Sequence, residues 1–171
     1  MVVCDSGPLI HFSRIGKIGV LKQLFGSVSI TDSTHREVVE EGRALRKAGV
    51  SAVEQAIEEG WIRVAKLEPR DIRRATRLAQ DEPLDEGDTK AIVLALKSQT
   101  PLVTNDRMVV LSARALGVEC LWTTTLLLRA VKARAVTTRE ALLMLQRLVE
   151  TGLHMRLEVY ESLRAAIQEL G

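Results

Sequence analysis

The segment TPLVTNDRMV, residues 101–110, constrains the fold more than any other stretch of the chain. A short apolar strand ends there in Thr-Asn-Asp, so Asp106 stands at the carboxyl end of a strand, and a helical pattern follows at once. The amino terminus repeats this design, because Asp5 follows apolar residues 2–4 and precedes Ser-Gly-Pro, which is typical of a helix start. Ligands of open α/β sheets bind at the carboxyl ends of the strands. We therefore expect two aspartates at one edge of a parallel sheet.

Short apolar strands alternate with helical patterns along the whole chain, which predicts parallel strands joined by right-handed crossovers. The predicted fold class is α/β, a three-layer α/β/α domain whose central, mostly parallel sheet has about five strands. The strands are predicted at Val2–Asp5, Val28–Ile30, Trp61–Ala65, Leu102–Thr104 and Val118–Leu121. We interpret the 171 residues as a single domain, with a core at about 1–122 and a helical extension at about 123–171.

Helices are predicted from apolar spacing and from capping residues. One is expected from about Ser33 to Leu45, with Val38 and Leu45 facing inward. Another, at about Glu86–Lys97, is apolar on every side of its centre, which indicates burial. The other helices are predicted at Pro8–Ser13, Ile18–Phe25, Val50–Glu58, Arg70–Gln80, Arg107–Leu116, Thr124–Ala133, Thr138–Thr151 and Leu157–Leu170.

Composition excludes some classes of protein and leaves others open. The net charge of +2 neither indicates nor excludes nucleic-acid binding, because the distribution of charge matters more than its sum. The apolar runs are too short to span a membrane, and no secretory signal is evident, so we expect a cytoplasmic protein without a membrane partner. Cys4 and Cys120 are expected to be buried, reduced thiols. The three histidines are scattered, and no cysteine or histidine spacing suggests zinc.

Four acidic residues stand where this fold would bring them together. Asp5 and Asp106 end strands, Glu37 lies on the helix after the second strand, and Asp88 lies in the first turn of the buried helix. Carboxylates buried together are costly unless cations neutralise them. Mg²⁺ and Mn²⁺ prefer oxygen ligands, so this set of acids is suited to such ions.

Each acid also has an ordinary structural interpretation. Asp5 and Asp106 precede helices and are natural N-caps. Glu37 has two glutamates nearby on its helix and is suited to a solvated surface. Asp88 shares its turn with two other acids, which favour the positive end of a helix dipole. Taken alone, the residues leave both interpretations open.

Four ordered segments resemble the motifs of PIN-domain proteins, the group that includes VapC-like toxins of prokaryotic toxin–antitoxin pairs. They are VVCDSGPLI, SITDSTHREV, LDEGDTKAIVLAL and PLVTNDRMV. The resemblance covers about residues 1–122 and is strongest to an uncharacterised prokaryotic branch with Leu-Asp-Glu-Gly-Glu before its buried helix and extra C-terminal helices. Asp88 replaces the last glutamate of that motif and is one methylene shorter, so it is expected to reach less far or to bind a metal through water.

The resemblance implies a Mg²⁺- or Mn²⁺-dependent ribonuclease, with Asp5, Glu37, Asp88 and Asp106 as its acidic quartet. It also implies that the hydroxyls of Ser6 and Thr104 orient Asp5 and Asp106, a role that Asn105 could share if it does not merely accommodate a turn. The resemblance to VapC-like toxins further implies that the protein acts on RNA as a toxin. It also implies that the protein forms a homodimer and that a small antitoxin protein masks its site.

RNA binding requires positive charge near the acids. Arg36 is adjacent to Glu37, Arg107 is adjacent to Asp106, and Arg14 is a further candidate along the approach, although all three are also ordinary solvated helix residues. The chain has two Trp, one Tyr and two Phe, so no platform for stacking bases is expected.

Three other interpretations stay open at this point. The first is a catalytically inactive PIN-like module that binds nucleic acid or protein. The second is phosphoryl transfer to a strand-end aspartate, but residue 7 is Gly where haloacid-dehalogenase-like phosphatases need Asp, and the acidic pair and late lysine of response-regulator receivers are not evident. The third is a flap-type DNA nuclease, whose chains are longer than this one.

Overall fold

A five-stranded, entirely parallel sheet lies at the centre of the computed structural model, which describes residues 1–170. Its strands are β1 (Val2–Cys4), β2 (Val28–Ile30), β3 (Ile62–Val64), β4 (Leu102–Val103) and β5 (Cys120–Leu121). The order across the sheet is β3-β2-β1-β4-β5. The predicted α/β class with a parallel sheet is therefore confirmed.

Eleven α-helical segments connect and flank the strands in the part of the chain that is described. They are α1 (Ser6–Arg14), α2 (Gly19–Phe25), α3 (Asp32–His35), α4 (Gly42–Ala44), α5 (Val50–Glu58), α6 (Pro69–Asp81), α7 (Glu86–Ser98), α8 (Arg107–Ala115), α9 (Thr123–Lys132), α10 (Thr138–Glu150) and α11 (Leu157–Glu169). Apart from the predicted helix at 33–45, boundaries agree with the sequence prediction to within two residues. None of the helices in residues 1–170 combines the length and the apolar character needed to cross a bilayer.

The strand order places a crevice beside β1. The chain passes from β1 outward to β2 and β3, then returns to the other side of β1 to form β4 and β5. Strand order reverses at this point, and in open α/β sheets such a switch point is where ligands bind. β1 and β4 pair directly, with Cys4 opposite Val103, and the Asp5 N–H donates to the Val103 carbonyl at 2.9 Å. This pairing brings the residues that follow each strand side by side.

Apolar side chains pack against both faces of the sheet. Val2 and Cys4 point into the larger core, whereas Val3 points into a smaller one with the buried faces of α7 and α8. The larger core also contains Met144 of α10 and Ile167 of α11, so the C-terminal helices pack on the same face as α1. Both cysteines are buried and neither forms a disulfide.

The helix predicted at 33–45 is not a continuous α-helix. Between α3 and α4 the residues Arg36–Glu41 form a π-helical turn. Val38 is buried as predicted, but Leu45 is 64% exposed, so the expectation that it faces inward is wrong. A π-helical turn accommodates an extra residue per turn, which rotates everything that follows it relative to an α-helical register. The turn also contains Glu37.

Candidate active site

Asp5 is held by hydrogen bonds to both of its carboxylate oxygens. It is the N-cap of α1, and its Oδ1 accepts from the Ser6 N–H at 2.7 Å. Its Oδ2 accepts from the hydroxyl of Thr104 at 3.0 Å. The sequence analysis expected the hydroxyl of Ser6 to orient an acid, but the contact in the structure comes from its backbone N–H; the residue also lines the cleft described below.

Thr104 joins the ends of the two central strands. It is fully buried, and besides donating to Asp5 its Oγ1 accepts from the Asp106 N–H at 3.2 Å. The sequence analysis expected the hydroxyls of Ser6 and Thr104 to orient Asp5 and Asp106. In the structure the Thr104 hydroxyl positions the Asp5 carboxylate and the Asp106 backbone together.

Asp106 is exposed and caps α8. Its Oδ1 accepts from the N–H groups of Met108 at 2.6 Å and Val109 at 3.1 Å. Within residues 1–170, its Oδ2 accepts no hydrogen bond and is free for another partner. The Oδ1 of Asn105 accepts from the Thr123 N–H at 3.1 Å and so ties this loop to the start of α9.

Asp88 forms a reciprocal capping box with Asp85 at the start of α7. The Asp88 N–H donates to Asp85 Oδ1 at 2.8 Å, and the Asp85 N–H donates to Asp88 Oδ2 at 3.4 Å. Asp85 was not among the predicted site residues. Two acids three positions apart at a helix start have the spacing of a capping box, and that signal could have identified it.

The acids act on one another electrostatically. Burial, together with the charges of Asp5, Asp85 and Asp106, raises the pKa of Asp88 to about 7, although the hydrogen bond from the Asp85 N–H opposes the rise. Burial likewise raises the pKa of Asp5; hydrogen bonds from Ser6 and Thr104 oppose this rise, and the charge of Glu37 adds to it. The site therefore concentrates negative charge that a cation would neutralise.

A cleft of about 460 Å³ opens between the start of α1, the π-helical turn and the start of α7. Three of the four predicted acids, Asp5, Glu37 and Asp88, line it. Asp106 lies beside the cleft, and its charge reaches Asp88. In residues 1–170, no three acidic, histidine or cysteine side chains are grouped closely enough to enclose an ion. The four acids thus lie in or beside one cleft, but their carboxylate groups are too far apart to surround a single ion directly.

The three predicted arginines take different positions. Arg36 lines the acidic cleft, and Arg107, the first residue of α8, lines a neighbouring groove. Arg14 donates to the Thr151 carbonyl at 3.4 Å and lines a small recess that it shares with Glu37. Of these three arginines, Arg36 is the one that lines the acidic cleft.

Lys90 is a buried cation that the sequence analysis missed. It is 6% exposed, and its Nζ lies 2.9 Å from Glu86, 3.3 Å from Asp32 and 3.2 Å from the Ser33 hydroxyl. Burial lowers its pKa, but the pairing with Glu86 and Asp32 outweighs this and raises the pKa overall. Lys90 thereby links α3 to α7, two of the elements that border the cleft. A lysine within an otherwise apolar helix, four residues after a glutamate, was the available signal.

A family model described as a PIN domain matches residues 1–169 of the chain. The chain belongs to the PIN-domain family. PIN domains are a family of nucleases, and their active sites generally use divalent metal ions. The family predicted from the four motifs is confirmed, and so is the fold. A search of curated proteins finds no match to this PIN domain.

The donor set of the cleft fits a hard divalent cation. The side chains of Asp5, Glu37, Asp85 and Asp88 supply carboxylate oxygens only, and the nearby hydroxyls are also oxygen donors. Mg²⁺ and Mn²⁺ bind through a few carboxylates and retained waters, which does not require the acids to converge as tightly as zinc ligands do. Burial is the main cause of the raised pKa values of Asp5 and Asp88, and neighbouring negative charges add to it, so a bound cation would favour the charged form of both carboxylates.

Proposed function

We propose that this PIN domain is a Mg²⁺- or Mn²⁺-dependent endoribonuclease that hydrolyses phosphodiester bonds of RNA in its acidic cleft. The observation that carries the proposal is the position of Asp5, Glu37 and Asp88 around one cleft at the switch point of the sheet, with the charge of Asp106 acting on Asp88. Switch-point carboxylates are where this architecture places its ligands, and the family is one of nucleases.

The four acids have separate tasks in this proposal. Asp5 is the most rigid ligand, because both of its oxygens are held by Ser6 and Thr104. Asp106 offers its free Oδ2, and Glu37 is an exposed side chain that can turn inward from the π-helical turn. Asp88 is short and engaged in its capping box, which favours coordination through water. A bound divalent ion would activate water as the nucleophile and stabilise charge that develops on the phosphate.

Arg36 supplies positive charge at the mouth of the cleft, where an RNA phosphate would approach. Its side chain is exposed and adjacent to Glu37 in the sequence, so it can contact a phosphate that lies at the edge of the acidic cleft. We assign it to substrate binding and not to the chemical step.

The resemblance to VapC-like toxins extends the proposal to a biological role. In it the protein is the cytoplasmic toxin of a toxin–antitoxin pair, works as a homodimer, and is masked by a small antitoxin protein. Growth arrest on expression of the wild type, absent with Asp106→Asn, would support the toxin role. Growth unaffected by a protein that cleaves RNA in the test tube would contradict it.

The test of the enzymatic proposal is Mn²⁺ binding by calorimetry, with the wild type beside Asp5→Asn and Asp106→Asn. We expect the wild type to bind and both variants to lose binding and RNA cleavage, with far-UV circular dichroism unchanged. Full cleavage by either variant would rule out the assignment of the site.

An inactive binding module is the second candidate, and a specific observation favours it. Asp5 and Asp106 are helix N-caps and Asp88 completes a capping box with Asp85, so each is explained without catalysis. A folded wild type that binds neither Mn²⁺ alone nor Mn²⁺ in the presence of a short RNA would support this second function.

A further inference from the structure

A second concavity, of about 810 Å³, lies beside the acidic cleft, where the C-terminal helices meet the sheet. We call it the C-terminal groove; its lining includes Arg107, Trp122, Thr124, Met155, Arg156 and Val159. Its volume is in the range of about 300–1,000 Å³ that is typical of small-molecule sites. The sequence analysis assigned no role to the C-terminal helices in binding.

The groove adjoins the proposed catalytic site through Asp106. Asn105 and Arg107, the two sequence neighbours of Asp106, both line the groove. On its other side, the Asp106 N–H donates to the Thr104 hydroxyl, which in turn donates to Asp5 in the lining of the acidic cleft. A chain that passes Asp106 can therefore contact both concavities.

The charge of the groove suits an anionic chain. Arg107 and Arg156 line it, both are exposed, and neither forms an ion pair within residues 1–170. Helices α9 and α11 both begin at its wall; the Thr123 N–H at the start of α9 donates to Asn105, whereas the N-cap residue of α11, Arg156, provides no side-chain cap. The uncapped N–H groups of α11 and the positive end of its dipole add to the attraction for phosphate.

The groove also has an apolar wall and one aromatic ring. Trp122 is half-buried, and Met155 and Val159 form the apolar surface around it. Aromatic rings stack on bases of single-stranded nucleic acid with about 1–3 kcal/mol per base. The sequence analysis expected no stacking surface, but one ring in a groove that two unpaired arginines also line is sufficient for a single base.

We propose that the C-terminal groove binds the single-stranded RNA flanking the scissile phosphate, with a base on Trp122 and phosphates on Arg107 and Arg156. This inference rests on the proposed function and adds to it a binding site, outside the acidic cleft, for the strand next to the cleaved bond. A base inside a duplex is already stacked on its neighbours, so only an unpaired one can lie on the tryptophan.

The experiment titrates a short single-stranded RNA into the protein in EDTA and follows tryptophan fluorescence. The chain has two tryptophans, and Trp61 is buried beside Lys22 at the opposite side of the sheet. Trp122→Phe and Trp61→Phe each leave one reporter. We expect saturable quenching in the wild type and in Trp61→Phe, and none in Trp122→Phe.

A charge-matched pair of variants tests the arginines. Arg107→Gln/Arg156→Gln is expected to raise the Kd for RNA at least about tenfold and to flatten its salt dependence. Arg114→Gln/Arg139→Gln removes the same charge from exposed positions outside the groove and is expected to change the Kd little. Mn²⁺ binding should be the same in both pairs.

The outcomes separate this inference from the proposed function. Wild-type protein that cleaves RNA but shows no Trp122 quenching, with both double variants binding alike, overturns the groove assignment and leaves the groove to a protein partner. Trp122 quenching in a protein that binds no Mn²⁺ supports the groove while the nuclease proposal fails. Equal quenching by duplex RNA overturns the assignment to an unpaired strand.

Discussion

The hydroxyl of Thr104 donates a 3.0 Å hydrogen bond to Oδ2 of Asp5, a residue 99 positions earlier in the chain. The hydroxyl oxygen of Thr104 also accepts from the Asp106 N–H, so one buried side chain sets the relative positions of two acids of the proposed site. It can do so because β1 and β4 pair directly and end at the same level.

Replacement of Thr104 by Val tests this link. The isosteric change removes a donor to Asp5 and an acceptor for the Asp106 N–H, and we expect it to lower the free energy of unfolding by about 1–3 kcal/mol. Mn²⁺ affinity should fall as well, because the Asp5 carboxylate is no longer held. Urea denaturation and calorimetry measure the two effects. Thr104→Ser keeps the hydroxyl and should retain most of the Mn²⁺ affinity; equal losses in both variants would contradict the link.

The stability of the metal-free protein is expected to depend on pH through Asp88. Its pKa rises from an ordinary value of 3.8 to about 7 in the folded state, so between these values the folded protein binds more protons than the unfolded chain. Stability therefore falls as pH rises through this range. Because Asp88 is only half-buried, we expect a loss of about 1 kcal/mol and not the full shift.

Thermal unfolding in EDTA at pH 5 and pH 8 measures this dependence. Asp88→Asn should raise the Tm at pH 8 by about 2–4 °C relative to the wild type and should matter less at pH 5. Saturating Mn²⁺ should remove much of the difference between the two proteins at pH 8. An identical pH dependence of the Tm in wild type and variant would refute the role of Asp88.

Lys90→Met tests the ion pairs that join α3 to α7. Its partners Asp32 and Glu86 are 57% and 71% exposed and can be rehydrated, so we expect a loss of only about 1 kcal/mol at low ionic strength. The loss should shrink in concentrated salt, which screens exposed charges. Urea denaturation at two salt concentrations measures it. Lys132→Met removes an exposed lysine without an ion pair in the described chain and is the matched control; equal effects of the two would show that Lys90 has no special role.

Gly42 tests the packing that follows the π-helical turn. A Cβ at residue 42 would lie 2.8 Å from Cγ2 of Val50, a branched side chain with little freedom to move. Gly42→Ala is therefore expected to cost about 1–3 kcal/mol from overpacking, despite the better helix propensity of Ala. In a Val50→Ala background the clash is gone, and the same substitution should stabilise by up to about 1 kcal/mol. Urea denaturation of the wild type, the two single variants and the double variant measures the free energy of unfolding. If Gly42→Ala changes this free energy in the same direction in both backgrounds, the clash is contradicted.

The sequence predicted the parallel sheet and nearly all element boundaries, because these depend on local patterns. Apolar runs, caps such as Thr137, and breakers such as Pro101 act within a few residues of where they stand. The placement of Asp5 and Asp106 at strand ends followed from the same patterns together with the general rule for parallel sheets.

Features that depend on long-range packing could not be predicted in this way. The exposure of Leu45 follows from a π-helical turn, which a residue pattern that also fits an α-helix does not reveal. Asp85 was considered only as one of several acids at a helix start; its spacing from Asp88 signals a capping box, but the sequence does not show that its charge reaches Asp5. The pairing of Lys90 with Glu86 is local and could have been read from the sequence, but its second partner, Asp32, lies 58 residues away.

The sequence by itself determined the family, the order of the elements and which residues carry the acids. Only the tertiary structure decided what these residues contact: that Thr104 holds Asp5, that Asp106 stands beside the cleft, and that Trp122 faces a groove with two unpaired arginines. The physical reason is that hydrogen bonds and charges between side chains act over a few ångströms in space. Residues far apart in the chain are brought within that range only when strands pair and helices pack.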